Sequence, residues 1–280
     1  MSTIREFKLK NVRSGYKMMI EEYNSAFEVS EDCKSRAITN YRFDDKSKGK
    51  FGSWEGVETY EEALGYMKNG YQPIVEELKI KTKCKKTGTV KRTTFSNNIV
   101  GYAPVVPLAL KGVPNCMIDM RQKPIKCKVI DIYYDMTCSC STDSEEIINA
   151  GSKLLGILME LESQGYRFNI YAVQSYSDSK GCDMLTVKVK NSTQPLDLKR
   201  ISFPLTHTAF FRVIGFDWYS RTPRGTYRSG YGRGLSYEFT KRDMDGIFEE
   251  CFGSNSLYIA AKEIKDKNEE YLREVITNGR

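Results

Sequence analysis

The stretch IDIYYDMTCSCS (130–141) carries an apolar, β-branched run as far as Asp135, then sets hydroxyl groups at alternate positions, Thr137 and Ser139. One carboxylate and two hydroxyls on a single loop are hard oxygen donors, a set suited to a hydrated Mg2+ or Mn2+. In such a site Asp135 would act mainly by charge, directly or through water, while Thr137 and Ser139 coordinate. The same oxygens would also serve to satisfy orphan N–H groups at the start of a following helix. A second group with chemical potential is SRTPRGTYRSGYGRG (220–234), which sets four arginines among glycines and tyrosines without an acid. There Arg221, Arg224, Arg228 and Arg233 would neutralise phosphates, and Tyr227 and Tyr231 would stack on bases. LKIKTKCKKTGTVKR (78–92) adds seven Lys or Arg, again without an acid. A lysine-edged strand and a solvated loop would give the same composition.

Several other chemistries find no support. The single histidine, His207, and the isolated C-x-C at Cys138 and Cys140 fall short of a structural zinc site. Thr137 stands where a haloacid-dehalogenase-type phosphatase needs its second aspartate. There is no G-x-x-x-x-G-K-[ST] loop, and GYGRGL (230–235) lacks a strand–helix frame for a dinucleotide. A metal-dependent hydrolase would need a general base beside the one firm carboxylate of the motif.

The elements that must position these residues follow from periodicity. CKVIDIYYD (127–135) reads as a strand buried on both faces. Residues 142–165 read as a long helix with Thr142 and Glu145 at capping-box spacing, an apolar stripe through Ile147, Ile148, Gly151, Leu154, Leu155, Leu158 and Leu161, and a stop at Gly165. Residues 166–176 and 183–190 read as strands around an SDSKG turn, and PLTHTAFFRVIGF (204–216) starts a short helix. Further on, DMDGIFEECF and NEEYLREVI read as helices. Strand, helix and strand in this order imply a parallel α/β sheet, with ligands at the carboxyl ends of its strands.

Upstream, TYEEALGYMKNGY (59–71) reads as a helix stopped by Gly70, the alternation from Lys79 to Lys85 as a strand, and NNIVGYAPVVPLALKGVPN as an apolar, partly buried connection. The division expected is a mixed α+β N-terminal region over 1–110 and an α/β domain over 115–280.

In the order of its elements the chain resembles the von Willebrand factor A domain. That family places D-x-S-x-S after its first strand, then a long helix, a two-strand unit, and a threonine on a loop before the next helix. Here D-M-T-C-S stands at 135–139, and LTHTAFF brings Thr206 71 residues after Asp135. The resemblance covers roughly residues 115–275. It implies a Rossmann-like, mostly parallel sheet with flanking helices, and a Mg2+ or Mn2+ held by Asp135, Thr137, Ser139 and Thr206. It also implies a non-enzymatic module whose cation takes a carboxylate from a protein partner. Departures from the family pattern are Thr137 for serine and Pro204-Leu205 for glycines, which suit a degenerate site. The texture is also similar to phage-encoded proteins with such a domain. The alternative function is nucleic-acid binding through 220–234 and 78–92.

A net charge of +7 and 40% hydrophobic residues suit a globular chain attracted to acidic partners. No run is apolar enough to span a bilayer, and the first twenty residues lack the apolar core of a secretory signal, so a cytoplasmic setting is expected, that of a host if the chain is phage-encoded. Eight cysteines are expected to be free thiols there.

Overall fold

A computed structural model of the chain describes residues 2–38, 50–83, 91–124, 129–222 and 233–278. Among these, strands β1 (Thr3–Lys8) and β2 (Lys17–Tyr23) precede helices α1 (Ala26–Ser35), α2 (Tyr60–Asn69) and α3 (Gln72–Lys83). Strand β3 (Lys91–Asn98), the two-residue β4 (Ala103–Pro104), helix α4 (Val106–Leu110) and β5 (Met117–Pro124) come next. A strand–helix–hairpin unit follows, made of β6 (Val129–Asp135), α5 (Ser144–Ser163), β7 (Arg167–Ser177) and β8 (Gly181–Lys190). Helix α6 (Leu198–Thr206), a π-helical segment Phe210–Gly215 and α7 (Phe216–Arg221) lead to α8 (Leu235–Glu238) and α9 (Lys241–Phe252). Strand β9 (Ser256–Ala260) then runs into α10 (Ala261–Ile264) and α11 (Glu269–Asn278).

The main sheet has the order β1-β2-β8-β7-β6-β9, and β3, β5 and β4 form a second, small sheet. Strand β6 runs parallel to β7 and β9, and β2 parallel to β8, while β7 and β8 form the expected antiparallel hairpin. The protein is therefore α/β, with a mostly parallel sheet flanked by helices. The sheet crosses the division expected at 110–115, because β1 and β2 pair into it through β8.

Both faces of the sheet are covered, as the apolar run of β6 requires. Ile130, Ile132 and Tyr134 face a large core with α2, α3, α5, α6 and α7; Tyr133 faces a smaller one under α9, with Val173, Phe248 and Tyr258. The α5 stripe is buried as its spacing predicts, except for Ile148, which is half-buried. Gly151 lets α6 approach α5 closely: a Cβ there would stand 2.0 Å from the Leu205 carbonyl oxygen.

Four local expectations need correction. The 142–145 capping box does not form; α5 begins after Asp143, and the Thr142 carbonyl instead accepts the guanidinium of the buried Arg212. The lysine run is helical as far as Lys83, not a strand, because Ile74, Val75 and Leu78 bury one face of α3 and lysine is a good helix former. The 97–115 connection is largely exposed instead of partly buried. The short helix foreseen over 204–216 divides into the end of α6 and the π segment. There Gln174 donates to the Phe210 carbonyl at 2.8 Å and fills the space beside Gly215, satisfying a widened helix turn. No helix among the described residues is long and apolar enough to cross a membrane.

Candidate functional site at the carboxyl ends of the parallel strands

Asp135 ends β6 opposite Val173 of β7 and Ala260 of β9, at the sheet edge where α/β proteins place their ligands. It is 1% exposed. Its Oδ1 accepts from the Thr137 amide at 2.8 Å; its Oδ2 accepts from the Ser175 hydroxyl and, at 2.7 Å, from the Tyr258 hydroxyl. Burial pushes the carboxyl above the usual aspartate range, and the bonds from Ser175, Thr137 and Tyr258 pull it part of the way back. The Thr137 hydroxyl oxygen accepts from the Ser175 amide at 3.0 Å, tying the β6 loop to β7.

The segment before α8 closes over this cluster. The Leu235 amide donates to the Ser175 hydroxyl at 2.9 Å, and the Tyr237 hydroxyl accepts from the Ser139 amide at 2.8 Å. Gly234 is required there, since a Cβ would stand 2.8 Å from the Ser175 oxygen and 2.9 Å from Thr137 Cβ.

This arrangement does not fit a divalent cation. Both carboxylate oxygens of Asp135 point at donors from the chain itself, and a cation would have to displace them. Ser139 is half-buried and turns its hydroxyl to that of Ser141 at 3.0 Å, away from the carboxylate bonds. Thr206 lies in the last turn of α6, where its hydroxyl donates to the Ser202 carbonyl at 2.8 Å and its Cα packs on Gly151 of α5. The structure thus joins Asp135 and Thr137 directly, sets Ser139 at the rim, and gives Thr206 a helical partner.

Of the arginine cluster, Arg221 is buried in an ion pair with Asp217 at 2.7 Å and donates to the Arg36 carbonyl. Its guanidinium serves the fold there. Arg233 is exposed, and its carbonyl accepts the Ser177 amide at 2.9 Å. Arg224, Tyr227, Arg228 and Tyr231 lie outside the described residues. The single histidine is a packing group: His207 is buried among Tyr66, Tyr71 and Phe203, its Nδ1 accepts the Ala209 amide, and burial lowers its pKa to about 4.

Ser175, Tyr258 and Tyr237 escaped the sequence reading. Ser175 had a signal, because AVQSYS (172–177) ends an apolar strand in small hydroxyls as 130–141 does. Tyr258 and Tyr237 had none, being single aromatic residues brought in by β9 and α8. Asp183 on β8 was also missed. It is buried, its carboxylate finds no hydrogen-bond partner among the described residues, and burial followed by Asp178 raises its pKa to about 7.

Fold and site together define an α/β protein whose strand-end carboxylate is enclosed by its own hydroxyl groups. The chain belongs to the family described as a domain of unknown function (DUF7192), whose model matches residues 7–276, from the end of β1 to α11. No curated protein and no solved structure matches it.

Proposed function

We propose that the chain is a non-enzymatic module that binds a protein partner at the carboxyl ends of its parallel strands, on a von Willebrand A-like scaffold of the degenerate kind. Counting β6 as the first strand, β7, β8 and β9 follow in the spatial order 3-2-1-4, the order common to Rossmann-like sheets, although β8 is antiparallel. That order supports the scaffold. The observation that carries the degenerate reading is the saturation of Asp135 by Thr137, Ser175 and Tyr258, groups that take the place of Mg2+ or Mn2+. The enclosed, neutral His207 supports a non-enzymatic role. The nucleic-acid alternative gains nothing from Arg221, which is spent on Asp217.

The accessible rim of the site is Cys140, Ser141 and Tyr237. Affinity capture from the source cells, with nuclease present and with or without EDTA, tests the reading. A protein partner should be retained in both conditions and lost on Ser141→Arg. Retention that needs a cation or nucleic acid, or that survives Ser141→Arg, contradicts it.

A further inference from the structure

The sheet face that α9 covers is longer than α9 itself. The helix has 12 residues and so is about 18 Å long, while the 11 residues of β7 extend about 36 Å. Beyond Phe252, where α9 ends, a groove of about 390 Å³ runs across the strands from Tyr133 of β6 to Thr3 of β1. The exposed Thr3 and Asn24 stand at its mouth. No residue lines both this groove and the cluster around Asp135.

Strand register brings the side chains of the groove together. Tyr133 pairs with Tyr171, Tyr171 with Lys188, and Thr186, two residues before Lys188, with Glu22. The Tyr133 and Tyr171 rings stack with centroids 4.6 Å apart and planes 5° apart, and Phe252 lies against Tyr133 at 4.3 Å. Because β6 and β8 flank β7, the Tyr171 ring shows one face to Tyr133 and turns the other toward Lys188, whose ammonium is 5.7 Å from its centroid. Arg5 holds its guanidinium 5.1 Å from the Phe252 ring. The groove is an aromatic wall faced by cations.

Its polar groups ask for an acceptor. The Thr186 hydroxyl is fully buried and has no hydrogen-bond partner, a cost that a bound ligand would recover. Arg5 is ion-paired with Glu22 through a terminal nitrogen, yet its Nε–H finds no acceptor. Lys188 makes no ion pair among the described residues, so once Glu22 has neutralised Arg5 the groove keeps the single positive charge of Lys188. Asp131, two residues before Tyr133, is bonded to the Asn169 amide at 2.6 Å and does not line the groove.

We infer that the groove binds a small aromatic carboxylate, its ring along the Tyr171 wall and its carboxylate received by Lys188, the Thr186 hydroxyl and Arg5 Nε. A carboxylate brings acceptor oxygens and one negative charge, which matches both the donors and the charge on offer. A phosphate monoester brings about 1.5 to 2 negative charges and would leave the excess beside Glu22. A ring without charge leaves Lys188 and Thr186 unmet, and a small anion without a ring leaves the wall bare.

Isothermal titration calorimetry on the full chain, with indole-3-acetate as the probe, tests this. The probe should bind one to one with a Kd below about 1 mM. Acetate, indole and AMP should each bind at least about tenfold more weakly. Lys188→Gln should weaken binding of indole-3-acetate about tenfold. Thr186→Val should weaken it severalfold and yet raise the melting temperature of the unliganded chain, because a methyl group replaces a buried hydroxyl that has no partner. No binding of indole-3-acetate at millimolar concentration overturns the inference, as does binding that either folded variant leaves unchanged. Acetate, indole or AMP binding as tightly as indole-3-acetate overturns it too, in favour of a simple anion, a neutral ring or a nucleotide respectively.

Discussion

At the carboxyl ends of β6 and β7 a carboxylate is buried and meets three donors of its own chain; in the 91–124 arm, large apolar side chains stand ordered in solvent. The two regions reverse the usual rule that apolar groups go inside and charges outside, and they do so with opposite completeness. Around Asp135 the cost of burying a charge is offset within the molecule, by the Thr137 amide and the Ser175 and Tyr258 hydroxyls. In the arm nothing described on the same chain covers Val100 or Leu110, at 77% and 83% exposure. The body is a closed design and the arm an open one, so substitutions should act on the whole fold in the first and on the arm alone in the second.

Gly151→Ala should bring the largest loss of stability. The new methyl group meets the backbone of α6, which cannot yield without opening the core, so unfolding free energy should fall by about 3 kcal/mol or more in denaturant titration. Gly101→Ala makes a clash of the same kind in the arm, yet the melting temperature of the body should hardly move, while amide exchange over 95–120 accelerates. Equal losses from the two glycines would break the contrast.

Asp183 sharpens the point from the opposite direction, because it is a buried carboxyl with no hydrogen-bond partner among the described residues, unlike Asp135. Its folded carboxyl keeps a proton to about pH 7, whereas an unfolded aspartate releases it near pH 4, at about 3.9. Stability should therefore fall as pH rises between those values and level off above pH 7. Asp183→Asn should stabilise the chain by about 4 kcal/mol at pH 8 and by little at pH 4, read from paired chemical denaturation curves. A constant difference at both pH values would mean that the carboxyl is already ionised in acid.

A smaller effect is expected of Tyr258→Phe, which removes one donor from Asp135. The loss should be about 1–2 kcal/mol at pH 7 and less in acid, where a protonated Asp135 needs that donor less. No change at neutral pH would indicate that Asp135 does not depend on its hydroxyl neighbours.

The elements with long or regular patterns were legible in the sequence. The α5 stripe, the stop of α2 at Gly70, the β7–β8 hairpin and the carboxylate ending β6 all follow from spacing that one element imposes on itself. Legibility failed where distant elements decide the outcome. The alternation of Lys79 to Lys83 fits a strand as well as a helix, and the choice was made by Ile74, Val75 and Leu78 packing on the core. Thr206 was expected on a loop, but with Pro204 and Leu205 before it in place of glycines, α6 runs on to that residue. At the site, Asp135 and Thr137 could be read from one stretch, while Ser175 and Tyr258 arrive from 40 and 123 residues away. The arm was hidden for a different reason. Prolines and glycines among valines and leucines describe a connection, and nothing in their order says which side of it water occupies.

The central claim is that protein hydroxyls occupy the position a cation would take at Asp135, and calorimetric melting tests it most directly. Wild-type chain and Asp135→Asn would be melted in EDTA and in millimolar Mg2+ or Mn2+, since any ion that prefers the folded state must raise its melting temperature. The account predicts that neither ion shifts the wild-type transition. A rise of several degrees that Asp135→Asn abolishes would contradict it, and would make Asp135 a metal ligand after all.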